Sequence, residues 1–295
     1  MQIKKTFSDR VFDVFNVLIM IFLLTVFIWP LWFVIIAAIS DPVKVISGEV
    51  LLLPKGITFE GVKRIFNYSQ LWTGYRNSSL YTVASTAISM VLSVCLAYPM
   101  SEKSFAPRKF LMGFFMLTMY FGGGLIPTFL LLKNLHIIDT PFAIIVNGAI
   151  SVYNCLIIRS YFMNSIPGEL KEAAMLDGAG QVKYLLNVVL PLSKPVFAVV
   201  GLYYAVGTWN NYTEGLYFIY DRDLMPLQNI LRDLISSSQL VADLAEDPEA
   251  GKIAFEMSQS MKYGVIVVAA LPMMILYPFI QKHFVKGVMV GAVKG

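Results

Sequence analysis

Val14–Ser40 reads VFNVLIMIFLLTVFIWPLWFVIIAAIS, without one charged residue. A bilayer hydrocarbon core about 30 Å thick is crossed by roughly 20 residues of helix, so this stretch predicts a membrane span. Its apolar length far exceeds the roughly 7–15 residues of a signal-peptide core, and no A-x-A site follows it. Five more uncharged runs succeed it: Asn77–Ser101, Phe110–Leu132, Thr140–Ile158, Pro195–Thr213 and Tyr263–Gln281. Backbone N–H and C=O groups in lipid must bond to one another, so each run predicts a helix. None alternates apolar with polar residues as a barrel strand does. The expected fold is an all-α integral membrane protein, a single domain over 1–295 with six transmembrane helices.

The composition agrees. Of 295 residues 57% are hydrophobic and 14% charged, against about 45–50% and about 25% in soluble domains. The mean hydropathy is +0.67. A soluble domain, a disordered chain and a disulfide scaffold are excluded, and a net charge of +4 gives no reason to expect nucleic acid. Cys95 and Cys155 lie in separate apolar runs, and His136 and His283 stand alone. Without CxxC or HExxH spacing, no metal site is expected.

Basic residues set the expected orientation. Lys4, Lys5 and Arg10 precede the first run, Lys103, Arg108 and Lys109 link the second and third, and Lys282, Lys286 and Lys294 follow the last. The positive-inside rule makes these segments, and both termini, cytoplasmic. The links at about 41–76 and 214–262 are then outside, and 159–194, between spans 4 and 5, is inside. No Asp, Glu, Lys, Arg or His interrupts any of the six runs. Ion-coupled pumps place ionisable side chains within the membrane, so energy for moving a solute is expected from elsewhere.

Arg159–Lys194 reads RSYFMNSIPGELKEAAMLDGAGQVKYLLNVVLPLSK. Ser165 and Pro167 predict a helix start, and Glu169 and Glu172 suit its positive end. Ala173 and Ala174 leave a smooth face for another protein. Asp177-Gly178-Ala179-Gly180 predicts a turn. A second helix is expected with Val182, Leu185, Leu186, Val189 and Leu190 on one side, and Pro191 and Pro195 turn the chain into the fifth run. The stretch is a helix–turn–helix knob, or an amphipathic linker lying in the headgroup layer.

The sequence EAAMLDGA, followed by Leu190-Pro191 and Pro195, resembles the EAA loop of bacterial ABC-importer permeases. Gly122–Thr128 with the following LLLKNLHIIDTPFAIIV, Trp209–Tyr212, Met225–Gln228 and the final GVMVGAVKG are similar to the maltose-type carbohydrate-uptake permeases. The FGGGLIPT segment is most similar to their subgroup for complex oligosaccharides and polysaccharide fragments. The resemblance covers about residues 10–295. It implies one permease subunit of an ATP-driven importer working by alternating access, paired with a second homologous permease. Two copies of a cytoplasmic ATPase and an extracytoplasmic solute-binding protein complete the assembly, in the bacterial cytoplasmic membrane. No GxxxxGK[ST] phosphate loop occurs, so this chain is not expected to be an enzyme. It holds no cofactor; ATP and Mg belong to the partner ATPases.

By the same resemblance Glu169, Glu172, Ala173, Ala174, Asp177, Gly178, Ala179 and Lys183 carry the coupling to the ATPase, with a short helix around Glu169–Leu176 seated in its cleft. Gly178 allows the turn, where a side chain should clash or stiffen it. The tail Gly287–Gly295 either reaches between the ATPases, as in the family, or frays.

Sugar needs aromatic faces and amides. Tyr153, Asn154, Trp209, Asn210, Asn211 and Tyr212 are the substrate-pathway candidates, with Asn147 and Tyr120 behind them. The alternatives are aromatic anchoring at the membrane interface and amide bonding between helices. Gly122–Gly124 with Pro127 either opens the third span for bending or packs it closely. Leu227–Leu234 predicts a short amphipathic helix. The acidic stretch Ser236–Gly251 is either disordered at its centre or an added docking element. The rival readings of function are an ABC permease for a non-sugar solute, a stand-alone secondary transporter and an integral-membrane enzyme such as a lipid-linked glycosyl transferase.

Overall fold

A computed structural model of the chain describes residues 6–243 and 247–292. Every regular element among them is helical: α1 (Phe7–Ala38), α2 (Pro42–Ile46), α3 (Glu60–Asn67), α4 (Ser69–Ser101), α5 (Arg108–Tyr120), α6 (Leu125–Asn134), α7 (Phe142–Ile145), α8 (Val152–Asn164), α9 (Gly168–Leu176), α10 (Gln181–Tyr184), a π-helical turn at Leu185–Val189, α11 (Leu190–Leu192), α12 (Lys194–Asn210), α13 (Thr213–Phe218), a 3₁₀ turn at Arg222–Leu224, α14 (Leu227–Asp243) and α15 (Pro248–Ala292). The chain packs as two units, one formed by the residues up to Ser69 with Leu231–Ala270, the other by Gln70–Ile230 with the residues from Leu271 on.

In the first unit a Thr6–Asp9 capping box starts α1, satisfying two N–H groups that the helix leaves open. Only Ile36, Ala37 and Ala38 of α1 are buried. An apolar surface of that size needs lipid or protein rather than water. Phe33 meets Tyr263 edge to face at 5.8 Å. A Cβ on Gly264 would stand 2.7 Å from Ile65 Cδ1, so the small residue is what lets α3 and α15 approach.

In the second unit α4 buries one stripe, Ser78, Thr82, Ser85, Ser89, Ser93 and Ala97, spaced about one helical turn apart. Small residues at this spacing let helices approach closely without hydrophobic drive. The stripe is bonded across the unit, with Ser93 Oγ and the Tyr204 hydroxyl at 2.7 Å and the Thr208 hydroxyl donating to Ser85 Oγ at 3.3 Å. At the start of α4 the Asn77 amide donates to the carbonyls of Asp223 and Met225, and the Tyr81 hydroxyl to that of Leu224. Gly74 permits this approach: a Cβ there would lie 2.8 Å from Ile230 Cδ1 and 3.0 Å from Leu227 Cα.

Helices α1, α4 and the Glu249–Pro278 part of α15 are each long and apolar enough to cross a membrane. Two further helix pairs are long and apolar enough only when taken together, and each is bent, α5 with α6 by 112° and Gln181–Leu192 with α12 by 80°. The expected third span therefore bends at Gly122–Gly124. Gly124 takes φ +85°, and a Cβ on Gly122 or Gly124 would meet nothing within 4 Å inside this chain, so at Gly124 it is the backbone conformation that calls for glycine. Pro127 sits in the first turn of α6, where its missing N–H costs nothing.

Expectation and structure part at four places. The uncharged run Thr140–Ile158 is not one helix. It breaks between α7 and α8, where Gly148 takes φ +70° and Ser151 caps α8 through its hydroxyl. Ser165 ends α8 instead of starting the next helix; extended Pro167 stands at the N-cap of α9. The second knob helix is interrupted by the π turn, so its apolar side chains do not form one stripe: Val189 is buried, while Val182 and Leu186 are exposed. Helix α14 runs beyond Leu234 to Asp243. The centre of the acidic stretch, at 244–246, lies outside the described residues, and Pro248 already opens α15. The tail is helical through Ala292, and 293–295 lie outside the described residues.

Candidate functional site

Helix α9 presents two faces. Glu169, Glu172, Ala173 and Leu176 follow i, i+3, i+4, i+7 spacing and are all exposed, Leu176 at 89%. A nearly bare leucine between carboxylates is a surface suited to another protein. On the other face Ala174 packs half-buried against a core of Tyr98, Ile158, Phe162, Tyr184 and Val189. The two alanines expected to share a smooth outer face thus divide, Ala173 outward and Ala174 inward, because neighbours in a helix point about 100° apart. Lys171 turns inward as well and pairs with Glu102, just past α4.

The knob ends in a complete Schellman turn. Ala179 N–H donates to the Ala174 carbonyl at 2.9 Å and Gly178 N–H to that of Met175 at 3.1 Å, satisfying carbonyls that the helix leaves unpaired. Gly178 holds φ +74°. A Cβ there would meet nothing within 4 Å, so the expected clash is absent and the backbone conformation alone requires glycine. Asp177 is the exposed C-cap, a position where the helix dipole disfavours an acid. Ala179 is half-buried and Lys183 exposed. Beneath α9 lies a cavity of about 480 Å³ lined by Tyr98, Glu102, Phe162, Lys171, Tyr184 and Val189.

The substrate-pathway candidates scatter. Trp209 is buried at 3% exposure, its ring 6.1 Å from Tyr75. Asn210 and Tyr212 are exposed, as are Tyr153 on α8 and Tyr120 at the end of α5. Asn154 is buried in the first turn of α8, its N–H donating to Ser151 Oγ. Asn211 Oδ1 accepts the N–H of Glu214, and the Asn147 amide donates to Glu214 Oε1 at 2.9 Å. The structure therefore gathers Asn147 and Asn211 around one carboxyl group. Burial pushes the pKa of Glu214 up to about 7, against the Asn147 and Asn211 hydrogen bonds, which favour the charged form.

Sequence reasoning passed over Glu214 as one acid among several in a long link. Its signal was position, directly after Trp209–Thr213 in an otherwise uncharged run. The seryl stripe of α4 was also missed, although its four-residue spacing is plain in the sequence. Among the described residues no cluster of three His, Cys, Asp or Glu could hold a metal ion.

The family described as "Binding-protein-dependent transport system inner membrane component" matches residues 71–290. The chain is 35% identical to Protein LplC of Bacillus subtilis (strain 168) over 98% of its own length and 97% of that protein. It is 37% identical to the polygalacturonan/rhamnogalacturonan transport system permease protein YtcP of the same organism, over 98% and 100%. The crystal structure of a bacterial ABC transporter involved in the import of the acidic polysaccharide alginate contains a chain that superposes with a TM-score of 0.81. That match has 30% identity and covers 96% of this chain and 100% of that one. The chain is accordingly a non-catalytic membrane permease component and belongs to the binding-protein-dependent transport system inner membrane family.

Proposed function

We propose that this chain is one transmembrane permease subunit of an ATP-driven importer that carries an oligosaccharide, a fragment of a polysaccharide, into the cell by alternating access. It pairs with a second, homologous permease as a heterodimer. Two copies of a cytoplasmic ATPase bind ATP and Mg beneath the pair, and an extracytoplasmic binding protein delivers the sugar. The chain lies in the bacterial cytoplasmic membrane with both termini inside. It crosses six times, at roughly 14–40, 77–101, 110–132, 140–158, 195–213 and 263–281, with 159–194 facing the cytoplasm and 214–262 outside. The sugar assignment is supported by the cargoes for which YtcP and the alginate importer are named.

The observation that carries the coupling reading is the outer face of α9: Glu169, Glu172, Ala173 and Leu176, ended by the turn at Gly178. Three acids, Glu169, Glu172 and Asp177, stand exposed while Lys171 is turned inward, so the complementary cleft on the ATPase is basic. ATP binding closes the two ATPases and draws the two knobs together. The bundles rock, closing the inner gate and opening the outer one. ATP shifts this equilibrium only because it binds the closed ATPase pair better than the open one. Tyr153, Asn210 and Tyr212, exposed, offer ring faces and an amide to a sugar. Buried Trp209 and Asn154 shape the helices that carry them, and Asn211 fixes the turn beside Glu214.

The test is uptake of oligogalacturonides and of neutral oligosaccharides into proteoliposomes holding the complete transporter. Uptake of at least one class that requires ATP and the binding protein is the expected result. Uptake by this chain alone on an ion gradient overturns the proposal.

A further inference from the structure

The last turn of α4 and the residue after it hold three elements of the knob region at once. Glu102 pairs with Lys171 of α9, both side chains mostly withdrawn from water at 17% and 29% exposure. The Tyr98 hydroxyl donates to Gln181 of α10, to its side-chain oxygen at 2.9 Å and its carbonyl at 3.2 Å. Arg159 Nε of α8 donates to the Met100 carbonyl at 2.9 Å, meeting the negative end of α4 with a cation. The Tyr98 ring stands edge-on to Phe162 at 6.3 Å.

Ala174 packs on the core of Tyr98, Phe162 and Tyr184, but on the Lys171 side of α9 the apolar packing is interrupted. The cavity of about 480 Å³ opens between the end of α4 and α9, with Glu102 and Lys171 both lining it. Across such a gap a displacement of α9 cannot be passed on by close-packed side chains alone, since a void leaves its lining without partners. Directional polar contacts span it instead. Pro99, two residues from the end of α4, lacks an N–H and removes one rung of the helix among the contact residues.

We infer that the Glu102–Lys171 pair, with the Tyr98–Gln181 bond, is the joint through which movement of α9 reaches α4. Glu102 and Lys171 are positioning residues, placed away from both the sugar and the ATPase. This inference rests on the reading of α9 as the ATPase-coupling helix. An ion pair suits the task, because two withdrawn charges resist separation in either direction of the stroke.

The experiment uses the whole transporter, purified with the subunits that accompany the tagged chain and reconstituted with the binding protein. Glu102→Gln, Lys171→Gln and the charge exchange Glu102→Lys/Lys171→Glu are compared for ATPase recovered, ATP turnover and sugar taken up per ATP. Each single variant is expected to retain the ATPase yet lose uptake per ATP by about fivefold or more. The exchange is expected to assemble and to recover at least half of that loss. Wild-type uptake per ATP in the single variants overturns the joint and leaves α9's role standing. So does an exchange variant that fails to assemble or to recover. A separate Ala173→Trp variant, on the outer face of α9, tests the reading beneath: normal ATPase recovery and normal uptake there overturn the coupling helix itself.

Discussion

Substituting Gly178 separates a backbone requirement from a steric one. The residue sits at φ +74° with open space around the position of a Cβ. An L-residue held in that region costs about 1–2 kcal/mol, which is about 5- to 30-fold in the population of the intact turn. Losing the turn also frees the carbonyls of Ala174 and Met175, now bonded by Ala179 and Gly178. The cost should follow φ preference rather than size. Asn tolerates the left-handed region several-fold better than most residues, and a β-branched residue is a true outlier there. Uptake by the complete transporter should therefore rank Gly178, then Gly178→Asn, then Gly178→Ala, then Gly178→Val, with similar membrane insertion throughout. Recovery of the ATPase with the tagged chain should fall in the same order. An order that follows volume, with Ala above Asn, refutes the reasoning and places the constraint in the partner's cleft instead.

Gly215→Ala should be poorly tolerated, since its Cβ would stand 2.3 Å from Asn229 Oδ1 and 2.9 Å from Pro226 Cδ; overpacking of this kind costs about 1–3 kcal/mol, readable as a lowered Tm in detergent. Glu214 gives stability a pH dependence with a definite sign. Its folded pKa of about 7 lies above the ordinary 4.5, so the folded state holds the proton longer and stability falls as pH rises from about 4.5 through about 7. Glu214→Gln should flatten that part of the Tm profile, and an unchanged slope would count against the burial of the group. The purified chain alone should hydrolyse no ATP in a phosphate-release assay, since it has no phosphate loop; turnover that follows the protein through purification would contradict this.

The long apolar helices were legible because hydropathy alone writes them: all of Val14–Ser40 but its last two residues falls within α1, and Asn77–Ser101 within α4. The Gly178 turn was legible too, since Asp-Gly after an apolar helix is a chemical signal for a left-handed residue. The break in Thr140–Ile158 was not, because hydropathy records which residues avoid water and says nothing of backbone direction. The local signs were present in Asn147-Gly148 and Ser151, a turn dipeptide and a capping hydroxyl. The same limit hid the division of Ala173 from Ala174, and of Trp209, buried beside Tyr75, from exposed Asn210. Which side of a helix faces inward is fixed by neighbours distant in sequence. The contacts of Glu102 with Lys171, and of Asn147 with Glu214, join residues 69 and 67 positions apart, and no pattern along the chain announces them.

Entry of force through the outer face of α9 is tested most directly by a photo-crosslinking residue at Leu176, 89% exposed. In membranes containing the complete transporter, irradiation should join this chain to the ATPase subunit. Adducts confined to lipid, to the binding protein or to the second permease, with none to the ATPase, would contradict the account.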